Sequence, residues 1–183
     1  TTNNDSVYQT ALELKEAGSK VTILDSRKNV NLDLPKEIDV HLNTLPFSTN
    51  GRKKIEGLDV CKATDKNNKN TIICDQVLIS GGWSPIVNLV SHRGIKPIWN
   101  QENLCFVPGD IKENITVVGS AKGIWNKNDC VKSGLVGANE AMNTLGIHKK
   151  EISFPSVGGW LNPIDTLFEV KSNKFPSKSF VDF

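Results

Sequence analysis

A helical stretch that runs through one glycine into a short apolar strand is the strongest constraint on how these 183 residues fold. Residues 5–18 (DSVYQTALELKEAG) set Val7, Ala11, Leu14 and Ala17 at helical spacing, with Asn4 or Asp5 able to cap the start and Gly18 to end it. Residues 20–25 (KVTILD) follow directly, rich in β-branched side chains and closing on an acid, the pattern of a strand buried in a parallel sheet. Helix, tight turn and buried strand form the second half of a βαβ unit, so the fold class expected is α/β, Rossmann-like and partial. The first strand of that unit is expected ahead of Thr1. The chain opens on Thr1 rather than Met, holds one methionine, Met142, and stops at Phe183 after the run SFVDF, which reads as a piece of a longer polypeptide.

Further along, 37–45 (EIDVHLNTL) and 56–64 (EGLDVCKAT) alternate as strands do, and 66–70 (KNNKN) reads as a solvated turn leading to a return strand at 71–80. After GGWSP at 81–85 a short helix is expected over 86–93, then a loop through 106–110 (FVPGD), a buried strand at 115–119 and a helix at 128–145. From Glu151 the periodicity fades into Pro, Gly and Ser breaks with scattered aromatics. Phe154, Trp160, Phe168, Phe175, Phe180 and Phe183 are too many large rings for a solvated linker, so 151–183 is expected to dock on the nucleotide domain or a partner subunit.

Composition narrows the function classes. A formal net charge of +2 gives no electrostatic footprint for a nucleic acid. No apolar run approaches the roughly 20 residues that cross a bilayer, and no signal-peptide pattern is present, so a cytoplasmic protein without a membrane partner is expected. The four cysteines, Cys61, Cys74, Cys105 and Cys130, stand apart with no CxxC pair and no zinc spacing, as reduced and mostly buried residues do. His41, His92 and His148 have no neighbouring cysteine or paired acid, so no metal site is expected. No GxSxG serine and no P-loop lysine motif occurs, and no catalytic residue is assigned.

Four places remain where a ligand can meet this chain. In the turn 1–6 (TTNNDS), Asn3 and Asn4 stand where a dinucleotide fold carries its glycines; they serve either as helix caps or as contacts to a nucleotide phosphate. Asp25 ends the next strand, about twenty residues on, where an acid accepts from a ribose hydroxyl or pairs with Arg27 at the surface. The paired Gly81 and Gly82 let the chain turn sharply and bring backbone amides to a ligand, with Trp83 able to cover a ring or to pack. At 115–123 (ITVVGSAKG) the glycine turn at Gly119 and Ser120 precedes a helix whose Gly134, Gly137 and Ala138 permit close packing, and Lys122 is placed to face a phosphate.

In order, TTNNDSVY, VTILDSR, CDQVLISGGWSP, ITVVGSAKG with its glycine-containing helix, and SFVDF resemble the alpha subunit of heterotetrameric sarcosine oxidase over nearly the whole chain. The most specific segments are 2–8 (TNNDSVY), 79–85 (ISGGWSP) and 180–183 (FVDF). More broadly, the layout is similar to the two-dinucleotide-domain disulfide reductases. The resemblance implies an oxidoreductase complex that demethylates sarcosine to glycine with oxygen as acceptor and passes the one-carbon unit to tetrahydrofolate. It implies NAD as the cofactor of this module, with FAD or FMN and the folate elsewhere in the complex, and the other subunits as partners.

On that resemblance 1–74 is a small nested nucleotide-domain-like unit, 75–147 the returning half of the main dinucleotide-binding domain, and 148–183 a connector toward a folate-binding domain. Cofactor contacts are implied at Gly81, Gly82, Trp83, Gly119, Ser120 and Lys122, with Asp25, Asn3 and Asn4 as the competing place. Two departures stand out. Ser120 falls where the wider superfamily carries an Asp that holds the flavin ribityl chain, and the small domain lacks the glycine fingerprint. Two other readings therefore stay open: a self-sufficient NAD(P)- and FAD-dependent reductase, and a non-catalytic scaffold with a vestigial nucleotide site.

Overall fold

The computed structural model describes residues 1–33, 36–111, 114–147 and 164–166; the tail aromatics and the connector at 148–183 fall, apart from 164–166, outside the described residues. The chain divides into two compact units, Thr1–Gly81 with Asp165–Phe183, and Gly82–Ile164.

In the first unit, helix α1 spans Ser6–Glu16 and strand β1 Thr22–Asp25, as the periodicity requires. The helix ends on Gly18 at φ +94°, where the Gly18 N–H bonds the Lys15 carbonyl (2.9 Å) and the Ser19 N–H the Leu14 carbonyl (3.0 Å). That pair of bonds needs a left-handed residue, which glycine adopts without a Cβ penalty. At the other end the cap comes from Asn4, whose Oδ1 accepts from the Ser6 N–H at 3.1 Å. Tyr8 and Ala11 of α1 are buried against Ile23 and Ile38, with Val7 and Leu12 beside them, while Ala17 is exposed. Of the expected stripe, Ala11 is buried and Val7 packs beside it, Leu14 is half-buried and Ala17 is exposed, while Tyr8 is buried without having been expected.

Strand β1 pairs in parallel with β2 (Asp39–Leu42). On its other side Thr2 forms parallel bridges to Asp25 and to Ser80, so it stands where the βαβ reading puts the strand ahead of α1. The stretch read as one strand over 37–45 is broken at Asn43, which sits at φ +54° and turns the chain from β2 into β3 (Thr44–Asn50). Asparagine tolerates that region better than most residues. β3 then leads an antiparallel meander with β4 (Gly57–Lys62) and β5 (Asp65–Ile72) in the order β3-β4-β5.

Two strand expectations are corrected here. The KNNKN run is not a turn: the reversal falls at Ala63 and Thr64, and 66–70 lies inside β5. β5 is exposed along its length except at Ile72, so pairing to β4 holds it with no apolar alternation to announce it, and its lysines suit an unprotected sheet edge. The return strand stops at Ile72, and of 73–80 only Ser80 pairs, as an isolated bridge. Leu24, Leu58 and Val60, flanked by Ile72, Cys74 and Val77, bury the meander against β1.

The second unit holds a four-residue helix α2 (Asn88–Ser91), a hairpin of β6 (Ile98–Asn100) and β7 (Cys105–Val107), a 3-10 turn over Gly119–Lys122 and helix α3 (Lys127–Thr144). The hairpin falls where a loop was expected. Asn100 Oδ1 accepts from the Glu102 and Asn103 N–H groups (3.0 and 2.8 Å), Leu104 turns the chain at φ +48°, and Trp99 meets Phe106 edge-on at 5.3 Å. Residues 115–118 belong to no strand, which corrects the buried strand expected at 115–119. They lie instead along α3, where a Cβ on Gly137 would stand 2.7 Å from Val118 Cγ1, the close packing that its glycine permits.

All four cysteines are free; Cys61 and Cys105 are buried, whereas Cys74 and Cys130 are half-buried. Burial pushes the Cys61 and Cys105 thiols up from their ordinary range. Iodoacetamide at neutral pH is expected to alkylate Cys74 and Cys130 in the folded protein and to reach Cys61 and Cys105 only after unfolding. Peptide mass spectrometry reads this directly, and equal labelling of Cys61 and Cys74 in the folded protein would contradict it.

Candidate functional site

The polar turn ahead of α1 is buried, with Thr2 and Asn4 at 0% exposure and Asn3 at 2%. Thr2 Oγ1 donates to the Asn4 carbonyl and accepts from the Asn4 N–H (2.9 and 3.1 Å). Asn4 Nδ2 reaches Asn3 Oδ1, the Ser80 carbonyl and Ser80 Oγ. Asn3 Nδ2 donates to the carbonyls of Gly81 (3.1 Å) and Asp165 (2.6 Å). The side chains placed where a dinucleotide fold carries glycines are therefore spent on tying this turn to Ser80, Gly81 and Asp165.

Asp25, at 0% exposure, lies at the end of β1 and faces Arg27, two residues on and on the same side of the extended chain. Its Oδ1 accepts from the Arg27 backbone N–H (2.9 Å) and Nε (3.0 Å), and its Oδ2 from Arg27 Nη2 (2.7 Å) and the Tyr8 hydroxyl (2.9 Å). Arg27 Nη1 bonds Asp5 Oδ1 at 2.6 Å. The Asp25–Arg27 pair read as a surface feature is in fact interior, with Arg27 only 5% exposed. Burial works against the Arg27 charge, but the bonds and charges of Asp25 and Asp5 outweigh it and raise its pKa above the ordinary arginine value. Burial, joined by the Asp25 charge, raises the Tyr8 hydroxyl well above the ordinary tyrosine range. As arranged, the Asp25 carboxylate offers no free oxygen to a ribose hydroxyl, so this end of the sheet does not fit a dinucleotide in its present form.

Sequence reasoning passed over Tyr8 as a partner of Asp25 and Asp5 as a partner of Arg27. Their three-residue spacing at the start of α1 puts both on one helix face, which was the available signal. His41 also has an acid that the sequence reading did not credit: its Nε2 lies 2.9 Å from Asp39 Oδ2, two residues back on β2. Among the described residues no group of three His, Cys, Asp or Glu side chains is placed to hold a metal, and no helix is long and apolar enough to cross a membrane.

In the second unit the turns are open. Gly82 adopts φ +105° and Gly119 φ +62°, conformations that favour glycine. Trp83 packs against Trp125, ring centroids 5.9 Å apart. The Gly119 N–H donates to Ser133 Oγ at 3.2 Å, and exposed Lys122 borders a cavity of about 270 Å³ that Asp129, Lys132 and Glu140 of α3 also line. Both signs of charge meet there, so the cavity has no net pull on an anion. Asn3, Asn4, Asp25 and Gly81 thus fall in one unit, and Gly82, Trp83, Gly119, Ser120 and Lys122 in the other.

The chain matches no protein-family profile. The sarcosine oxidase alpha subunit of Rhizobium meliloti (strain 1021) is 30% identical over 187 residues, covering 100% of this chain and 18% of that protein. The same subunit from Corynebacterium sp. (strain U-96) is 26% identical over 157 residues, 81% of this chain and 16% of that protein. Among solved structures, Lactococcus lactis thioredoxin reductase in the FR conformation superposes with a TM-score of 0.60 at 22% identity, over 78% of this chain and 50% of that one. The bacillithiol disulfide reductase of Staphylococcus aureus gives 0.56 at 18%, over 79% and 48%. The chain is accordingly similar along its whole length to the Rhizobium meliloti sarcosine oxidase alpha subunit, of which it spans 18%, and over 81% of its length to the Corynebacterium subunit, and it carries the Rossmann-like fold of the thioredoxin-reductase type.

Proposed function

We propose that this chain is part of an oxidoreductase subunit that contributes nicotinamide dinucleotide-binding surface and subunit scaffold to a complex oxidising sarcosine to glycine, and none of its catalytic residues. The observation that carries this reading is the 30% identity to a sarcosine oxidase alpha subunit over the whole chain. In this reading 1–74 is the nested nucleotide-domain-like unit, 75–147 the returning half of the main dinucleotide domain, and 148–183 the connector. NAD is the cofactor of this module; FAD or FMN, tetrahydrofolate, sarcosine and the partner subunits engage other parts of a cytoplasmic hetero-oligomer.

The dinucleotide contacts assigned to this chain come from the glycine turns at Gly81, Gly82 and Gly119, with Trp83, Ser120 and Lys122. The internal pairing of Asp25, Asn3 and Asn4 favours this place over the strand end. A Cβ branch at φ +105° strains the backbone, so Gly82→Val in the intact subunit is expected to weaken NAD binding by about tenfold or more, while Asp25→Ala leaves it unchanged. Isothermal calorimetry separates the two, and loss of binding with Asp25→Ala alone would move the site to the end of β1.

A further inference from the structure

Helix α3 is 18 residues long, yet Gly137 is its only buried residue. A helix of that length in a globular unit lays an apolar stripe on a core, whereas Val131 and Val136 of α3 are exposed. The segment that α3 covers is as bare. Residues 115–118 (ITVV) carry the unbroken apolar, β-branched run of a strand buried in a parallel sheet, but none of the four is buried. Their backbone forms no hydrogen bond with any described residue. We propose that 115–118 is a docking edge for a strand of the same subunit's polypeptide lying outside these 183 residues, which pairs with it in parallel and closes the layer beneath α3. The inference rests on the reading of 75–147 as the returning half of a larger dinucleotide domain, and it names the surface through which the two halves join.

The geometry defines what fills the edge. A Cβ on Gly137 would stand 2.7 Å from Val118 Cγ1 and 3.0 Å from Thr116 Cγ2, so Thr116 and Val118 lie against α3. Beside that contact is the cavity of about 270 Å³, with Val117 and Val118 in one wall and Val136 and Gly137 in another. Its charged groups are of both signs and select no ion, while its valines suit the apolar side chains of a neighbouring strand. Direction follows from chain order. The segment runs through the Gly119 turn into α3, and strands joined through such helices pair in parallel. A second copy related by a two-fold axis perpendicular to the sheet meets this edge antiparallel instead. The proteins that this chain resembles also hold the polypeptide needed: the match covers 50% of the Lactococcus lactis thioredoxin reductase and 18% of the Rhizobium meliloti subunit. An added strand gives the free N–H and C=O groups of 115–118 their partners and removes the valines from water.

The test is made on the intact subunit by two measurements. Hydrogen–deuterium exchange of the wild type reads the amides of 116–118, and p-benzoylphenylalanine in place of Val136 reads the neighbour of the cavity by photo-crosslinking and peptide mass spectrometry. Exchange slower than that of a free peptide by about tenfold or more, with a cross-link at monomer mass to a peptide outside these 183 residues, is the expected result. Exchange at free-peptide rates overturns the proposal whatever the cross-link shows. A cross-link to a second copy, to another subunit or to the tail at 148–183 overturns the occupant, and so does the absence of any cross-link. NAD binding by calorimetry is measured alongside. A docked strand without NAD binding upholds the edge and refutes the nucleotide reading, whereas NAD binding with an open edge refutes the docking alone.

Discussion

Arg27→Met is expected to destabilise the protein by about 3–5 kcal/mol, because it leaves Asp5 and Asp25 buried without their cation. The carboxylates are 7% and 0% exposed, so water cannot take over the role of the guanidinium without opening the end of β1. The loss reflects the stranded charges rather than the net worth of the ion pairs. Replacing Asp5, Arg27 and Asp25 together by apolar residues of similar volume should therefore cost far less than the single change, and can be neutral. Urea unfolding of the single and triple variants provides the comparison. A loss below about 1 kcal/mol for Arg27→Met would mean that the cluster is solvated in solution and behaves as a surface network.

The second large effect concerns Leu24. This residue is 4% exposed in the middle of β1 and packs with Leu58 and Val60 of β4, with Ile72, Cys74 and Val77 around them. Leu24→Ala removes three carbons from this buried cluster and leaves a cavity there. A loss of about 2–5 kcal/mol is expected, against under about 1.5 kcal/mol for the volume-conserving Leu24→Met. Thermal melts of both variants measure it, and similar midpoints for the two would show that the cluster between β1 and β4 is loosely packed.

Where the sequence reading was right, the information was local. The α1–β1 pair follows from apolar spacing, a glycine stop and a β-branched run, all within 5–25, and α3 (Lys127–Thr144) falls on the helix expected over 128–145, with its Asn126 cap seen in the structure. Where it went astray, the deciding partner was distant or the pattern lacked contrast. KNNKN carries the marks of a turn, but bonds to β4 make it a strand. The segment 115–118 carries the marks of a buried strand, but no described neighbour pairs with it as a ladder. The hairpin β6–β7 depends on an asparagine turn and a left-handed Leu104, a conformation that leucine does not advertise.

The candidate site divides along the same line. Residue order alone placed Asn3, Asn4, Asp25 and the glycine turns at the ends of elements, since turn chemistry and strand length are properties of short windows. It could not reveal that Asp25 is enclosed by Tyr8 and Arg27, that Arg27 also reaches Asp5, or that Asn3 spans to Gly81 and Asp165. Those contacts join residues up to 162 positions apart, and they exist only because parallel pairing brings Thr2 between Asp25 and Ser80. The identity of α1, β1 and α3 resides in the local pattern of the chain, whereas the burial and availability of a carboxylate depend on which donors the folded backbone sets around it.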